Sequence, residues 1–491
     1  MKKIILFILT VTCAVCFFSC STGNNAKPQE QGTTVPIILS TPEDGTAEAQ
    51  TDQPTEIPAT SQPTDVPEPL QISGTVKLTV NNESGTEKES LAPRATLKAF
   101  KEKYPDVTVI YEESNRTTYP QRIAAGDIGD VFWVDSIDTV KFQSQNALLA
   151  LDPFIPKMNI DIGDVFAGSL DAGMVGGSLY MVPRDYNNII LTYNNDMLTE
   201  AGISFDNSVA MSWDEFKNIC KRVTVIEESG RTLRAGAALK IWWPAVWEPF
   251  INGFGGKWID TENRKINISN DPKVMQGFEE LLKGIEEGWL YPEDLQLTDP
   301  YISNKYSAIP LGDDNVSHVC FKNFGSITWM DRIGGLYDSK GIDWNFCPFP
   351  ALPNHTVSSH ATGYAVYSGS NNLDAAAALA LFFLTPEGQT AYHSEPSTTV
   401  PVLKSLAGEN FWKGTGTSWT DKNYGAFVAY PDLSAPFELS LQLPPEVADI
   451  FSSNNMITVF TKAINGFDSI ENLLTQLQTK ANGTWEKISR N

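Results

Sequence analysis

Cysteine and histidine are both scarce in this chain of 491 residues, with six of the first and four of the second. So few cysteines over such a length exclude a small scaffold held together by disulfides. Lys and Arg number 36 against 59 Asp and Glu, a formal net charge of -23. A chain so short of positive charge repels a phosphate backbone, which excludes a non-specific nucleic-acid partner. Apolar runs long enough to span a bilayer are also missing. There is no Walker phosphate loop, dinucleotide fingerprint, HExxH, CxxC pair or GxSxG elbow, so no enzyme and no cofactor is expected. His355 and His360 lie in a Pro/Ser-rich stretch at a spacing that does not put them on one helix face, and with only His318 and His393 besides, no metal site is expected. Asp313 and Asp314 are adjacent, whereas glycosidase carboxylates act from separate positions across the scissile bond. They read as a solvated turn.

What is present is apolar and aromatic. Apolar residues make up 42% of the chain and twelve tryptophans are included, which rules out an acidic disordered polymer and leaves room for two or three domains with real cores. The N-terminus stands apart. Lys2 and Lys3 precede an apolar run from Ile4 to Phe18, too short for a comfortable membrane span and read as a secretory signal. The run ends in Phe17-Phe18-Ser19-Cys20, which resembles the bacterial lipoprotein box, although Phe17 and Phe18 replace its usual Leu and small residue. That resemblance implies a lipid on Cys20, with residues 1–20 as the signal peptide and the chain held at the outer face of the cell membrane. Residues 21–72 contain no Phe, Trp or Tyr, but eight prolines, nine threonines and eight acids against Lys27 alone. Such a segment cannot bury enough apolar surface to offset its ordering entropy, so it reads as a disordered spacer between anchor and domain. Cys220, Cys320 and Cys347 remain beyond it. Cys320 could pair with Cys347, but an odd count favours buried free thiols.

Strand and helix signals then alternate. Val76 to Val80 reads as a strand, Leu97, Phe100 and Tyr104 as one helical face ended by Pro105, and Val107, Val109 and Tyr111 as the next strand. A short helix over Gln121 to Ala125 leads through Gly126 to a strand over Val131 to Val134. This order predicts an α/β, doubly wound, parallel sheet, whose ligands bind beyond the carboxyl ends of its strands. Asn81, Asn82, Glu83, Glu112, Glu113, Asp135 and Ser136 fall at that rim. Ser212 to Glu215 predicts a capping box, Asn372 the start of an alanine-rich helix to Leu384, and Thr385-Pro386 the start of another. Trp242, Trp243, Trp247, Phe250, Phe254 and Trp258 crowd into one stretch. Tryptophan faces stack on sugar rings, but they also fill cores. Trp213, inside the capping-box helix, reads as core, and Trp242 and Trp243, before Pro244, as exposed. Three aromatics at 242, 243 and 247 are more than one helical core stripe needs, and are expected to form a stacking floor.

From about residue 76 to the end, short pieces recur in a family's order: Phe100 to Pro105, Ala125 to Val131, Leu148 to Asp152, Gly177 to Pro183, Tyr193-Asn194, Glu200 to Ile203, Ser212 to Phe216, Gly255-Gly256, Phe349-Pro350, Ala376 to Gln389 and Val400-Pro401. In this the chain resembles the family 1 extracellular solute-binding proteins of ABC importers, which include the maltodextrin-binding proteins. Two departures stand out: Asp313 to Cys320 replaces the family's Ala-Ala-Met segment, and Gly129 replaces a proline, a change expected to affect only the turn. The resemblance implies a periplasmic-binding-protein-like fold of two lobes joined by crossing hinge strands near Tyr186 to Ile189, Phe349 to Leu352 and Val400 to Val402. The N-lobe would be 73–186 with 351–400 and the C-lobe 189–348 with 402–491. It also implies a monomer that binds a sugar or oligosaccharide, docks on ABC permease subunits, and contacts ligand through Trp133 to Asp135, Asn187, the Trp242 to Trp247 loop and Trp329. The alternatives are a polysaccharide-degrading lipoprotein enzyme and a receptor feeding a sensor kinase.

Overall fold

The computed structural model describes residues 70–82, 87–324, 330–359, 361–395, 399–414 and 417–490. The signal segment, Cys20, the spacer, Glu83, Trp329 and His360 lie outside the described residues or, for the spacer, almost wholly so.

The first sheet grows from the alternation read in the sequence. Strand β1 (Gly74–Asn81) leads to α1 (Glu87–Lys103), β2 (Val107–Ser114), α2 (Tyr119–Ala125), β3 (Val131–Asp135) and α3 (Ser136–Ser144). Gly126 closes α2 in the left-handed conformation, at φ 70°. β4 (Met181–Pro183) completes this part of the chain. The chain then crosses to a second sheet built from β5 (Ile190–Asn194), β6 (Thr232–Leu239), β7 (Leu290–Pro292), β8 (Val319–Phe324) and β9 (Trp344–Pro348). Two helices accompany it, α4 (Trp213–Val223) and α5 (Pro244–Gly253). α4 opens on the expected capping box, with Ser212 N–H donating to Glu215 at 2.9 Å and the Glu215 N–H donating back to the Ser212 hydroxyl at 3.3 Å. The chain returns as β10 (Thr362–Val366), α6 (Leu373–Phe382) and α7 (Pro386–His393); α6 starts after Asn372 as expected, without a side-chain cap bond, and stops at Phe382, and Thr385 caps α7 as expected.

Strand order in the first sheet is β2-β1-β3-β10-β4, and in the second β7-β6-β8-β5-β9. β1, β2 and β3 are parallel, as the alternation predicts, but β10 pairs antiparallel with both β3 and β4. Each sheet is therefore mixed. The strand that makes the first one so arrives from more than 220 residues along the chain, beyond the reach of local periodicity. Each sheet carries its own core. Phe100, Phe132, Tyr364 and the alanines of α6 pack around the first, and Trp213, Phe216, Trp247 and Phe321 around the second. Cys220, Cys320 and Cys347 are all free and buried in the second.

Three passages connect the sheets. In the first, Tyr186 pairs with Val400 and Asn188 with Ser359. The second runs further along than Phe349 to Leu352. The Ala351 N–H donates to Met211 and the Trp213 N–H to Ala351, which holds those residues on the second sheet's layer, and only at Ser358 to Thr362 does the chain reach the first. The third also departs from expectation, since the Phe166 N–H donates to the Val402 carbonyl and Leu403 packs in the first core. α8 (Glu438–Gln442) and α9 (Ile470–Arg490) finish the chain on the second sheet's side, with Leu439 and Trp485 in its core.

Gly129 does more than alter a turn. Its φ is 102°, and a Cβ there would lie 2.6 Å from the Thr79 hydroxyl and 3.2 Å from the Lys77 carbonyl. Only glycine fits where the loop entering β3 lies against β1.

Candidate functional site

The carboxyl ends of the parallel strands lie on both lobes, those of β1 to β3 on the first and those of β6 to β8 on the second. On the first lobe, β3 ends at Asp135, which caps α3: its Oδ1 accepts the Asp138 N–H at 2.8 Å and its carbonyl accepts the Thr139 hydroxyl at 2.7 Å. Its Oδ2 pairs with Arg116 at 2.6 Å, and that guanidinium stands 5.7 Å from the centre of the Trp133 ring. Asp135, Ser136 and Trp133 are all buried, while Arg116 is 39% exposed and presents the charged edge of this rim. One turn into α3, the Asp138 carboxyl is pushed up to about 7, first by burial, then by Asp135, with a smaller contribution from Asp449 of the second lobe. α8 packs against α3, so the two lobes touch here.

Glu112 is not brought to this rim. It is engaged by Arg122 at 2.7 Å, Lys77 at 3.1 Å and Thr79 at 3.0 Å, beside the loop that enters β3. Burial pushes its carboxyl up, but those hydrogen bonds prevail and hold it below the usual range. Asn187 lies in the first passage, buried, and donates to Asp185 at 3.0 Å.

On the second lobe the tryptophans separate. Trp247 is fully buried within α5, edge-on to Trp258 at 5.3 Å and stacked over Phe278, so it belongs to the core and cannot be part of a stacking floor. Its place inside the helix, four residues from the N-cap at Trp243, turns it inward. Trp242 and Trp243 precede α5 and are only partly buried. Trp242 donates its indole N–H to the Glu293 carbonyl at 3.2 Å, with the Lys240 ammonium 5.9 Å from its ring centre.

Trp242 thereby adjoins a polar well that sequence reasoning missed. The exits of β6, β7 and β8 supply Lys240, Glu293 and Asn323 to a cavity of about 120 Å³, which Lys322, Asp313 and Phe324 also line. Lys322 is 4% exposed and Glu293 1%. Their side chains form an ion pair, and Lys322 also donates to Asn315 at 2.8 Å, with Asp313 at 3.9 Å. Burial pushes the Glu293 carboxyl up against the pull of Lys322. Glu293 Oε2 and Asn323 Nδ2 are buried and have no hydrogen-bond partner among the described residues. Asp313 is therefore no solvated turn, at 19% exposure against 71% for Asp314. A charged Lys322 and an amide Asn323 inside the otherwise apolar run Val319 to Phe324 were the signal available in the sequence.

Two mixed α/β sheets joined by three passages make a two-lobed, periplasmic-binding-protein-like fold. Residues 82–301 match the family model described as bacterial extracellular solute-binding protein. The resemblance drawn from the motifs is thus borne out by the family model over that stretch. Solved structures share the fold. The sugar-binding protein MalE of Xanthomonas citri aligns with a TM-score of 0.66 at 18% identity, over 85% of this chain and 98% of its own. An ABC substrate-binding protein of Listeria monocytogenes, in complex with cycloalternan, aligns with a TM-score of 0.65 at 16% identity, over 84% and 99%. A cyclic alpha-maltosyl-1,6-maltose binding protein of Arthrobacter globiformis aligns with a TM-score of 0.64 at 17% identity, over 84% and 100%. Among the described residues no helix is long and apolar enough to cross a membrane, and no cluster of metal-ligating side chains occurs.

Proposed function

We propose that this protein is an extracellular solute receptor, anchored by a lipid on Cys20, which captures a carbohydrate between its lobes and hands it to an ABC permease. The observation that carries the carbohydrate reading is the pairing of a partly exposed aromatic face, Trp242, with a ring of hydrogen-bonding groups at the exits of β6, β7 and β8. Sugars offer that mixture of apolar ring faces and hydroxyls. The three structural relatives, all sugar binders by description, support the same reading. Ligand that touches both lobes only when they are closed stabilises the closed form by its differential affinity, and the closed form docks on the permease. The chemistry is binding alone, with no bond made or broken.

The test is a thermal-shift screen of the purified protein against linear and cyclic oligosaccharides. A cognate sugar at 100 times its Kd adds about 2.7 kcal/mol of stability. Failure of every glycan to raise the melting temperature, with another solute class succeeding, would overturn the reading.

A further inference from the structure

We infer that the polar well behind Trp242 is a subsite for a neutral, hydroxyl-bearing carbon arm of the ligand, such as the exocyclic hydroxymethyl of a hexose, and that it selects hexoses over deoxy and acidic sugars. The inference rests on the carbohydrate reading above and adds which part of the sugar is recognised.

Three features of the well lead there. The first is unmet hydrogen-bonding capacity. Glu293 Oε2 is an acceptor and Asn323 Nδ2 a donor, both buried and both without a partner among the described residues. Buried polar groups left unpaired are costly, and a hydroxyl can satisfy both at once by donating to the carboxylate and accepting from the amide. The second is that the walls differ. Phe324 and Ile333 line one part, Glu293, Lys322 and Asn323 another, which suits an arm carrying C–H on one side and O–H on the other. At about 120 Å³ the cavity exceeds the roughly 10–15 Å³ that one water needs, so it has room for such an arm.

The third is charge. Lys322 is paired with Glu293 and Lys240 with Asp294 at 2.8 Å, so the two cations of the well are balanced and Asp313 adds a further negative charge beside Lys322. No cation is left over for a carboxylate or phosphate, and an acidic sugar would bring like charge to Asp313. The well also has a way in. The side chains of Lys240 and Asp313, which line it, are 23% and 19% exposed.

The experiment uses the full chain and a panel of linear gluco-, galacto- and manno-oligosaccharides of two to six units. The tightest binder is then compared by calorimetry with its terminal 6-deoxy analogue and its terminal uronate. Both analogues are expected to bind at least tenfold more weakly. Asn323→Asp keeps the oxygen that accepts the Lys240 N–H at 2.9 Å and replaces the donor with a carboxylate oxygen, which brings negative charge beside Glu293. Asn323→Asp and Glu293→Gln are each expected to weaken the parent sugar and to shrink its advantage over the deoxy analogue, which a merely structural role would not do. If neither variant folds, the comparison on the natural chain decides. Equal affinity for parent and deoxy sugar, or for parent and uronate, overturns the subsite and leaves the carbohydrate reading standing. If no member of any glycan class binds, both fall.

Discussion

Trp247 and Trp242 stand five positions apart and have opposite fates, a difference that follows from where α5 begins. Trp242 lies before the helix and is partly exposed; Trp247 lies one turn inside and is fully buried. Truncating a buried tryptophan costs about 3–5 kcal/mol. Trp247→Ala is therefore expected to lower the melting temperature of the ligand-free protein sharply. Trp242→Ala should leave it nearly unchanged and weaken sugar binding, by about 1–3 kcal/mol if stacking on a sugar resembles stacking on a base. Equal losses of stability in both would return Trp242 to the core.

Asp138 offers a second test at this scale. Its carboxyl is pushed up to about 7 in the folded protein, against about 3.9 when unfolded. A raised acid contributes stability that is present below the unfolded value and lost as pH rises through the folded one. Stability should accordingly fall between pH 4 and pH 7. Asp138→Asn should remove that fall, raising the melting temperature at pH 8 and leaving it little changed at pH 4. A variant with the same pH profile as the natural chain would show that Asp138 is better solvated than its place between Asp135 and Asp449 implies.

Among the elements, α7 has the most connections for its length. Gln389 is completely buried and donates to the Arg184 carbonyl at 2.9 Å and the Phe383 carbonyl at 2.7 Å, while its oxygen accepts the Val402 N–H at 2.7 Å. One turn later His393 faces the carbonyls of Thr399 at 2.7 Å and Arg184 at 3.2 Å. Two side chains on one face of α7 thus join the start of the first passage to both sides of Val400 in the third. Gln389→Leu strands buried backbone groups at about 1–3 kcal/mol each, and is expected to destabilise the chain far more than Gln389→Glu at a pH low enough to keep the new carboxyl protonated. Similar melting temperatures for the two would mean that water replaces the lost bonds. Burial holds the His393 ring down to about 3, so its contribution is complete above pH 6.5 and declines as pH falls below it.

At this scale the limits of sequence reasoning are also clear. β1 to β3, the α4 capping box, the start of α6 after Asn372 and the cap at Thr385 were legible because each rests on neighbours within a few positions. β10 was not read as a strand between β3 and β4, since its partners are set by the return of the chain. Asp135 was placed at the rim by the end of its strand alone. Lys322 stood out locally as a charge inside an apolar strand, but its partner Glu293 was missed because it lies 29 residues away and no local pattern joins the two.

For the whole molecule, the passages invite motion of one lobe against the other about Tyr186 to Asn188, Ser358 to Thr362 and Val400. Saturating sugar is expected to reduce the radius of gyration in solution scattering with no change in far-ultraviolet dichroism. Superimposable scattering curves would point to a site formed in advance of binding.

The distribution of cysteine gives the opening of the second lobe itself an internal clock, separate from that motion. All three thiols outside the signal segment sit in the second core, and the first lobe has none. Burial pushes each of them up, so as long as the lobe stays packed they remain protonated and out of reach of a thiol reagent. The rate at which a maleimide consumes them therefore reports the opening of one lobe alone, with no label to introduce and no background from the other. Ligand that only draws the lobes together should leave that rate unchanged, whereas ligand that stiffens the second lobe itself should slow it.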